Sequence, residues 1–162
     1  MTNRLSFFTD GSVNPRSGTG YGAYLIVTDV DLAIDKLKSQ VKVQQFENTS
    51  STRLELQILL FALKTIDHLG QKVIIYTDSQ NIVRLPSRQS HLEDHNYLSK
   101  KGKLIKNHLL YQEFYAITQN LECEIIKIKG HKPSKQKNKI DQIFNLVDKR
   151  ARVALRSDNI IP

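Results

Sequence analysis

The chain has 162 residues, 40% of them hydrophobic and 25% charged, which suits one soluble domain with a hydrophobic core. Its formal net charge of +8 favours a polyanionic partner, a nucleic acid or an anionic membrane face, although a basic surface can serve solubility alone. The single cysteine, Cys123, excludes a disulfide framework, and the absence of ~18 consecutive apolar residues or of a signal-peptide core predicts a cytoplasmic protein.

The hydrophobic pattern alternates between strands and helices in the order βββαβααβα. The predicted elements are strands at 4–10, 21–28 and 37–46, a helix at 52–69 that stops at Gly70, a strand at 72–78, a short helix from Gln80 that is broken by Pro86, a helix at 104–119, a strand at 124–129 and a helix at 140–156. This order predicts an α/β fold with a mixed sheet whose first three strands form an antiparallel meander. Because a helix joins the first strand to the fourth, these two can lie side by side and parallel.

Two of these strands end on the same dipeptide, Thr9-Asp10 and Thr77-Asp78. A single aspartate at a strand end is more often a turn former. However, parallel strands of an open sheet present their carboxyl ends at the edge where ligands bind. Two carboxylates at that edge repel each other unless a cation lies between them. The repeated ending therefore predicts a metal site that contains Asp10 and Asp78.

Glu55 has two interpretations. In the first, Thr52 and Glu55 form a capping box at the start of the helix. In the second, Glu55 shares a helical stripe with Leu59, Ala62 and Ile66, which places its carboxylate on the side that faces the sheet. A buried glutamate needs a partner, and a metal held with Asp10 and Asp78 would supply one. Farther along the chain, Asp148 has the spacing of an ordinary surface partner of Arg152.

Five segments in this order resemble type 1 ribonuclease H, and the resemblance covers residues 4–156. They are Phe8-Thr9-Asp10-Gly11-Ser12, Thr52-Arg53-Leu54-Glu55-Leu56, Tyr76-Thr77-Asp78-Ser79-Gln80, Lys129-Gly130-His131, and a segment with Asn145, Asp148, Ala151 and Ala154 at three-residue intervals. The resemblance implies a single ribonuclease H domain over residues 1–162. It also implies a ribonuclease H-like fold, with a five-stranded mixed sheet in the order 3-2-1-4-5 flanked by helices.

The resemblance implies an endoribonuclease that cleaves the RNA strand of RNA–DNA hybrids with two Mg²⁺ ions, for which Mn²⁺ can substitute. The metal ligands carry over as Asp10, Glu55, Asp78 and Asp148. Two metal ions suit this chemistry because they activate water and stabilise the leaving oxygen. The products would have 5′-phosphate and 3′-hydroxyl ends. The partner would be the hybrid duplex, without a membrane, and the protein is expected to be a monomer.

His131 follows the fifth strand, where the family has a mobile histidine that assists proton transfer or product release. On local sequence alone, it is typical of a solvated loop residue. The interval from this histidine to the last aspartate is about ten residues in the family, which in this chain would select Asp141. We expect Asp148 to be the fourth ligand because the pattern of Asn145 and Ala154 fits around it. Asp141, two helical turns away, would cap the helix or lie in an outer shell.

Substrate contacts carry over more loosely. Ser12, Asn14, Ser51 and Gln80 match positions that read the minor groove of the hybrid, including the 2′-hydroxyl groups of RNA. Ser50 and Arg53 match contacts to the DNA strand, although each of these six residues is equally plausible as a turn former or cap. The remaining candidates, Lys100, Lys101 and Lys103, resemble the basic handle of some members and would contact phosphates, although a solvated loop explains them equally well.

Three alternatives stay open at this stage. The chain could be a ribonuclease H-like binding module without catalysis, which would follow if Asp148 missed the site. It could also be a nuclease or integrase of the same fold that acts on DNA. A domain processed from a reverse transcriptase is the third, although the start at Met1 suits a stand-alone protein.

Overall fold

The structure is a computed structural model that describes residues 4–66, 70–129, 133, 135 and 137–160, the side chains of 159 and 160 excepted. The strands are β1 (Arg4–Val13), β2 (Gly20–Val27), β3 (Lys42–Phe46), β4 (Lys72–Thr77) and β5 (Glu122–Lys127). The helices are α1 (Ile34–Lys38), α2 (Ser51–Lys64), α3 (Gln80–Asp94), α4 (His108–Thr118) and α5 (Lys139–Ile160). Among the described residues, no helix combines the length and the apolar character needed to cross a bilayer.

The five strands form one mixed sheet in the order β3-β2-β1-β4-β5, which confirms the predicted sheet order. Strands β1, β2 and β3 pair antiparallel, whereas β4 lies parallel to β1 and β5 lies parallel to β4. The register of the central pair places Phe8 opposite Tyr76. Asp10 and Asp78 each follow two residues later, so both carboxylates emerge at the same sheet edge and on the same face.

Side chains of β1 alternate between two apolar layers. Phe7 points into the layer formed with α2, α3 and α4, and Phe8 points into the layer formed with α1 and α5. The ring of Phe8 stacks on Tyr76 with centroids 4.6 Å apart. Because Asp10 follows Phe8 by two residues, its carboxylate lies on the α5 side of the sheet.

A row of glycines brings the start of α2 close to the sheet. A Cβ on Gly22 would lie 2.5 Å from Cβ of Ile58, and a Cβ on Gly11 would lie 2.8 Å from the side chain of Leu54. Real Cβ atoms do not approach other atoms so closely, so only glycine permits this contact. Glu55, the neighbour of Leu54, is thereby positioned at the edge where β1 ends.

The prediction that a strand begins at residue 37 was wrong. Leu37 belongs to the short helix α1, and β3 begins only at Lys42. Leu37 is fully buried in the layer shared with α5. Burial of this leucine against α5 favours a helical turn over an extra length of edge strand, and local propensity could not show this.

The prediction that Pro86 breaks the helix was also wrong, because α3 continues through it to Asp94. Ile82, Leu85 and Leu92 anchor α3 in the core on both sides of the proline. The hydroxyl group of Tyr115 donates a hydrogen bond of 2.6 Å to the carbonyl oxygen of Leu85, the residue before the proline. Tertiary packing therefore outweighs the hydrogen bond that proline cannot donate.

Other element limits shift by several residues. Helix α2 ends at Lys64 rather than 69, with Thr65 as its C-cap, and residues 67–69 lie outside the described residues. Helix α4 begins at His108 rather than 104, because Leu104 pairs with Leu98 in an isolated bridge. The last helix is longer than predicted and the fifth strand begins two residues earlier.

Pro86→Ala is expected to stabilise the protein by roughly 1–3 kcal/mol, since alanine restores a backbone donor inside α3 and removes the clash of the ring. Urea unfolding followed by circular dichroism measures this change. The neighbouring exposed substitution Ser87→Ala serves as the control and should change stability by no more than about 0.5 kcal/mol. A Pro86→Ala variant that is no more stable than the wild type would show that α3 already accommodates the proline without cost.

Candidate active site

Three carboxylates converge just beyond the last pair of β1 with β4, Phe8 with Tyr76. The prediction that the first strand ends at Asp10 was wrong, because β1 continues to Val13 in its pairing with β2. Asp10 from β1, Asp78 directly after β4 and Glu55 from the first turns of α2 each offer an oxygen, and these oxygens lie within 4.8 Å of one another. The cluster matches the one predicted from the repeated strand ending and from the stripe on α2. We refer to these three residues as the acidic cluster.

Asp10 lies at the centre of the local electrostatics and is only 7% exposed. Burial, with a smaller contribution from the negative charge of Asp78, raises the pKa of Asp10 from 3.8 to about 9. A hydrogen bond to Asp148 adds to the increase, whereas the backbone N–H of Gly11 favours the charged form. Without a cation, Asp10 therefore holds a proton at neutral pH and donates it in a hydrogen bond to Asp148.

Glu55 is half-buried and shares this environment. Burial raises its pKa, a hydrogen bond from the hydroxyl group of Ser79 opposes the increase, and the charge of Asp78 adds to it. The same Ser79 oxygen accepts the N–H of Ile82 at 3.3 Å and so caps α3. Ser79 thus connects the start of α3 to the carboxylate of Glu55.

The capping-box interpretation of Glu55 was wrong. The N-cap of α2 is Ser50, whose side chain accepts the backbone N–H of Arg53 at 3.3 Å. Glu55 is the fifth residue of the helix, beyond the free backbone donors of its first turn. Its carboxylate is therefore available to the acidic cluster.

The two candidate aspartates of α5 lie in different settings. Asp148 reaches Asp10, and one of its oxygens also accepts a hydrogen bond of 2.7 Å from Arg152, as the helical spacing predicted. Asp141 instead accepts the backbone N–H of Asn138 at 3.2 Å, while the amide oxygen of Asn138 accepts the backbone N–H of Asp141 at 2.9 Å. This reciprocal pair caps α5, which is one of the two positions expected for Asp141.

A cavity of about 450 Å³ opens beside the acidic cluster. Its walls carry carboxylates from Asp78, Asp141 and Asp148 and also the basic side chains of Lys129, Lys137 and Arg152. Such a mixture of charges can hold a cation at the carboxylates and a phosphate at the basic rim. The predicted residue His131 lies outside the described residues, as do its two neighbours.

Several predicted substrate residues form local structure. The side-chain oxygen of Asn14 accepts the backbone N–H of Arg16 at 3.0 Å, which shapes the turn between β1 and β2. Ser12 is half-buried near the end of β1, and Ser51 is the first, exposed residue of α2. These turn and cap positions place polar side chains around the sheet edge.

Gln80 and Arg53 make contacts that the sequence did not reveal. The exposed side chain of Gln80, the first residue of α3, accepts a hydrogen bond of 2.5 Å from Lys127 of β5. Arg53 donates a hydrogen bond of 3.0 Å to the side chain of Asn107, which has a left-handed backbone with φ of 68° before α4. Neither Lys127 nor Asn107 carries a pattern that could have identified these partners.

The predicted basic residues Lys100, Lys101 and Lys103 are exposed in the segment 95–107, which we call the lysine loop. The Leu98–Leu104 bridge closes this loop, and the backbone N–H of Ser99 donates to the carbonyl of Lys103 at 2.7 Å. The loop therefore presents its lysines from an ordered turn. In the sequence, the lysine loop is distant from the residues of the acidic cluster. The hydrogen bond of Arg53 with Asn107 nevertheless connects the C-terminal end of the loop to the start of α2.

Comparisons with known proteins agree with this geometry. Among solved structures, this chain is similar to the solution structure of the PFV RNase H domain, with a TM-score of 0.73 at 18% identity over 94% of each chain. The crystal structure of LC9-RNase H1, a type 1 RNase H with the type 2 active-site motif, gives a TM-score of 0.68 at 22% identity, covering 95% of this chain and 72% of that one. These likenesses establish the ribonuclease H fold.

Proteins that are similar to this chain in sequence are ribonucleases H. Ribonuclease H of Thermoanaerobacter sp. (strain X514) is 28% identical over 151 residues, which is 88% of this chain and 90% of the relative. Ribonuclease H of Moorella thermoacetica is 29% identical over 144 residues, 86% of this chain and 88% of the relative. The RNase H family model matches residues 2–152, nearly the whole length, and the chain therefore belongs to the ribonuclease H family.

Proposed function

We infer that this protein is an endoribonuclease that hydrolyses the RNA strand of RNA–DNA hybrids. The observation that carries this inference is the convergence of Asp10, Glu55 and Asp78 within 4.8 Å in a chain of the ribonuclease H family. Carboxylates so close together in a partly buried site serve no stabilising purpose by themselves, because they repel one another. Their arrangement suits the binding of divalent cations.

The donor set fits Mg²⁺ or Mn²⁺, which are hard cations that take carboxylate and water oxygens. We propose that Asp10, Glu55, Asp78 and Asp148 hold two such ions. When bound, a pair of ions supplies a hydroxide nucleophile and stabilises the oxygen that leaves. The products of this chemistry would carry 5′-phosphate and 3′-hydroxyl ends.

The side chains around the carboxylates keep them in place. Arg152 donates a hydrogen bond to one carboxylate oxygen of Asp148. This bond holds the Asp148 side chain in one rotamer and leaves its other oxygen for the site. Ser79 likewise orients the carboxylate of Glu55 by donating a hydrogen bond to it. A cation that binds must displace the proton of Asp10, so metal binding is coupled to proton release.

The basic surface supports a polyanionic substrate. Lys129 and Lys137 line the cavity beside the acidic cluster, and the lysine loop exposes further lysines. We propose that these lysines contact backbone phosphates. Around the sheet edge, Ser12, Asn14, Ser50, Ser51, Arg53 and Gln80 would read the hybrid, whose RNA strand differs from DNA by its 2′-hydroxyl groups.

His131 is proposed to assist proton transfer or product release, a role that suits the titration range of imidazole. The protein is proposed to act as a monomeric single domain over residues 1–162 in the cytoplasm. The role of His131, the monomeric state, the domain limits and the location are predictions from the sequence.

A binding module without catalysis and a nuclease of the same fold that acts on DNA are the competing candidates. The contact of Asp148 with Asp10 argues against the first, because the fourth carboxylate does reach the acidic cluster. A cleavage assay separates all three. Labelled RNA–DNA hybrid should be cut in Mg²⁺ or Mn²⁺ while duplex RNA and duplex DNA stay intact, and an intact hybrid at excess enzyme would contradict the proposal.

Asp148→Asn should lower the rate of hybrid cleavage by about a hundredfold or more, because it removes a charged oxygen from the proposed metal site. Asp141→Asn is the matched control on the same helix and keeps an oxygen that can accept the capping hydrogen bond. It should retain activity within about threefold. The assignment fails if Asp141→Asn abolishes cleavage and Asp148→Asn does not.

Asp10→Asn should stabilise the metal-free protein at pH 8. The pKa of Asp10 rises from 3.8 to about 9 on folding, so the folded state binds more protons than the unfolded state between these values. The stability of the metal-free wild type must therefore fall as pH increases through this window, and the variant should lack that fall. Thermal unfolding in EDTA should give a midpoint on the order of 5 °C higher for the variant at pH 8.

In excess Mg²⁺, the midpoint of thermal unfolding should increase for the wild type and stay nearly unchanged for Asp10→Asn. An equal increase for both proteins would show that Mg²⁺ stabilises the fold at a place other than the acidic cluster.

Replacing Lys100, Lys101 and Lys103 together by alanine should raise KM for the hybrid and leave kcat within about twofold, because phosphate contacts position the duplex. The plot of log affinity against log salt should become less steep by up to about 0.9 for each phosphate that the variant no longer neutralises. Lys36→Ala with Lys38→Ala on α1 is the control for a general loss of positive charge. If this control raises KM as much as the triple variant, the lysine loop has no special part in binding.

A further inference from the structure

Two histidines stand at the C-terminal end of α3, His91 in its last turn and His95 at its C-cap, and the ribonuclease site does not use them. His91 and His95 are both exposed, and their ring centroids are 4.2 Å apart with an angle of 33° between the rings. A separation of four residues places both side chains on one face of the helix. Two imidazoles at this spacing form a chelating arrangement, which helices use to bind transition metals.

The backbone contact of one of the two rings favours the tautomer that a metal requires. The Nδ1 atom of His95 lies 2.8 Å from the carbonyl oxygen of His91. Because a carbonyl oxygen can only accept a hydrogen bond, this contact favours the proton on Nδ1 and leaves the lone pair on Nε2. Histidines that ligate metals commonly donate their second ring N–H to a backbone carbonyl in this way.

The surroundings leave room for an ion and its water ligands. A cavity of about 420 Å³ is lined by both histidines together with Leu98 and Ser99. Water can therefore complete the coordination of an ion held by two protein nitrogens.

Two basic residues border the same cavity, Arg88 and Lys100. Arg88 is anchored elsewhere, because its guanidinium donates to the side chain of Asn81 at 3.2 Å and lies 5.6 Å from the ring centre of Tyr111. Lys100 is exposed, so water screens its charge.

We propose that His91 and His95 form a binding site for a divalent transition cation such as Zn²⁺, Ni²⁺ or Cu²⁺. Imidazole nitrogen favours these ions, whereas Mg²⁺ prefers oxygen ligands, so the site is chemically distinct from the acidic cluster. A bound ion joins the last turn of α3 to its C-cap residue, which is also the first residue of the lysine loop. It therefore secures the end of the helix and adds positive charge beside the lysines.

The test uses untagged protein that carries Asp10→Asn and Asp78→Asn, so that the acidic cluster no longer competes for the metal. Calorimetric titration with Ni²⁺ in excess Mg²⁺ should show one bound Ni²⁺ per chain. Adding His91→Ala or His95→Ala should weaken Ni²⁺ binding by about tenfold or more, because each removes one of two protein ligands.

His108→Ala is the matched control. Nδ1 of His108 also contacts a backbone carbonyl, that of Ile105 at 2.9 Å, but within the described part of the chain the only two histidines with their rings in contact are His91 and His95. Its Ni²⁺ affinity should stay within about twofold of the parent protein. Melting curves without metal establish that each variant is folded, and Ni²⁺ should raise the midpoint only where both histidines of the pair are present. Ni²⁺ binding that survives His91→Ala and His95→Ala, or that is lost in His108→Ala, would overturn the proposal.

Discussion

Repulsion among carboxylates at one edge of the sheet is the constraint on which the rest of this structure depends. Asp10, Glu55 and Asp78 approach one another closely enough that burial and mutual repulsion raise the pKa of Asp10 to about 9. A site of this kind lowers the stability of the metal-free fold, so packing elsewhere in the structure must hold the three carboxylates in place. The central strands are fully buried along much of their length and provide that support.

The two apolar layers determine where each acidic side chain emerges. Phe8 and Tyr76 stack two residues before the two aspartates and fix the register that makes them neighbours. On α5, the buried residues Val147 and Ala151 face the same layer. The aspartate after Val147 is thereby carried to the edge of the layer, close enough to bond Asp10. Hydrophobic packing thus sets the positions of charges that would otherwise move apart.

Features with a local signal were predictable from the sequence, whereas features that depend on distant packing were not. The repeated Thr-Asp dipeptides at Asp10 and Asp78 and the stripe that contains Glu55 carried such a signal, although β1 continues past Asp10 to Val13. The helical turn around Leu37 and the continuation of α3 through Pro86 depend on burial against other elements, which no local pattern records. The different settings of Asp148 and Asp141 were also beyond the local pattern, because the two aspartates share a helix face. Asp141 caps α5 together with Asn138, whereas Asp148 contacts Asp10.

Basic side chains are needed near the acidic cluster but not among its carboxylates. A lysine among the carboxylates would neutralise them and take the place of a metal ion, whereas no positive charge nearby would leave a polyanionic substrate facing a negative site. The structure places its basic residues at the rim instead: Lys129 and Lys137 line the cavity, and Arg152 engages Asp148 from the side. Because opposite charges lie within one cavity, the affinity for substrate and the affinity for metal depend on each other. A phosphate held at the rim adds negative charge beside the carboxylates and so favours cation binding, and a bound cation in turn favours the phosphate.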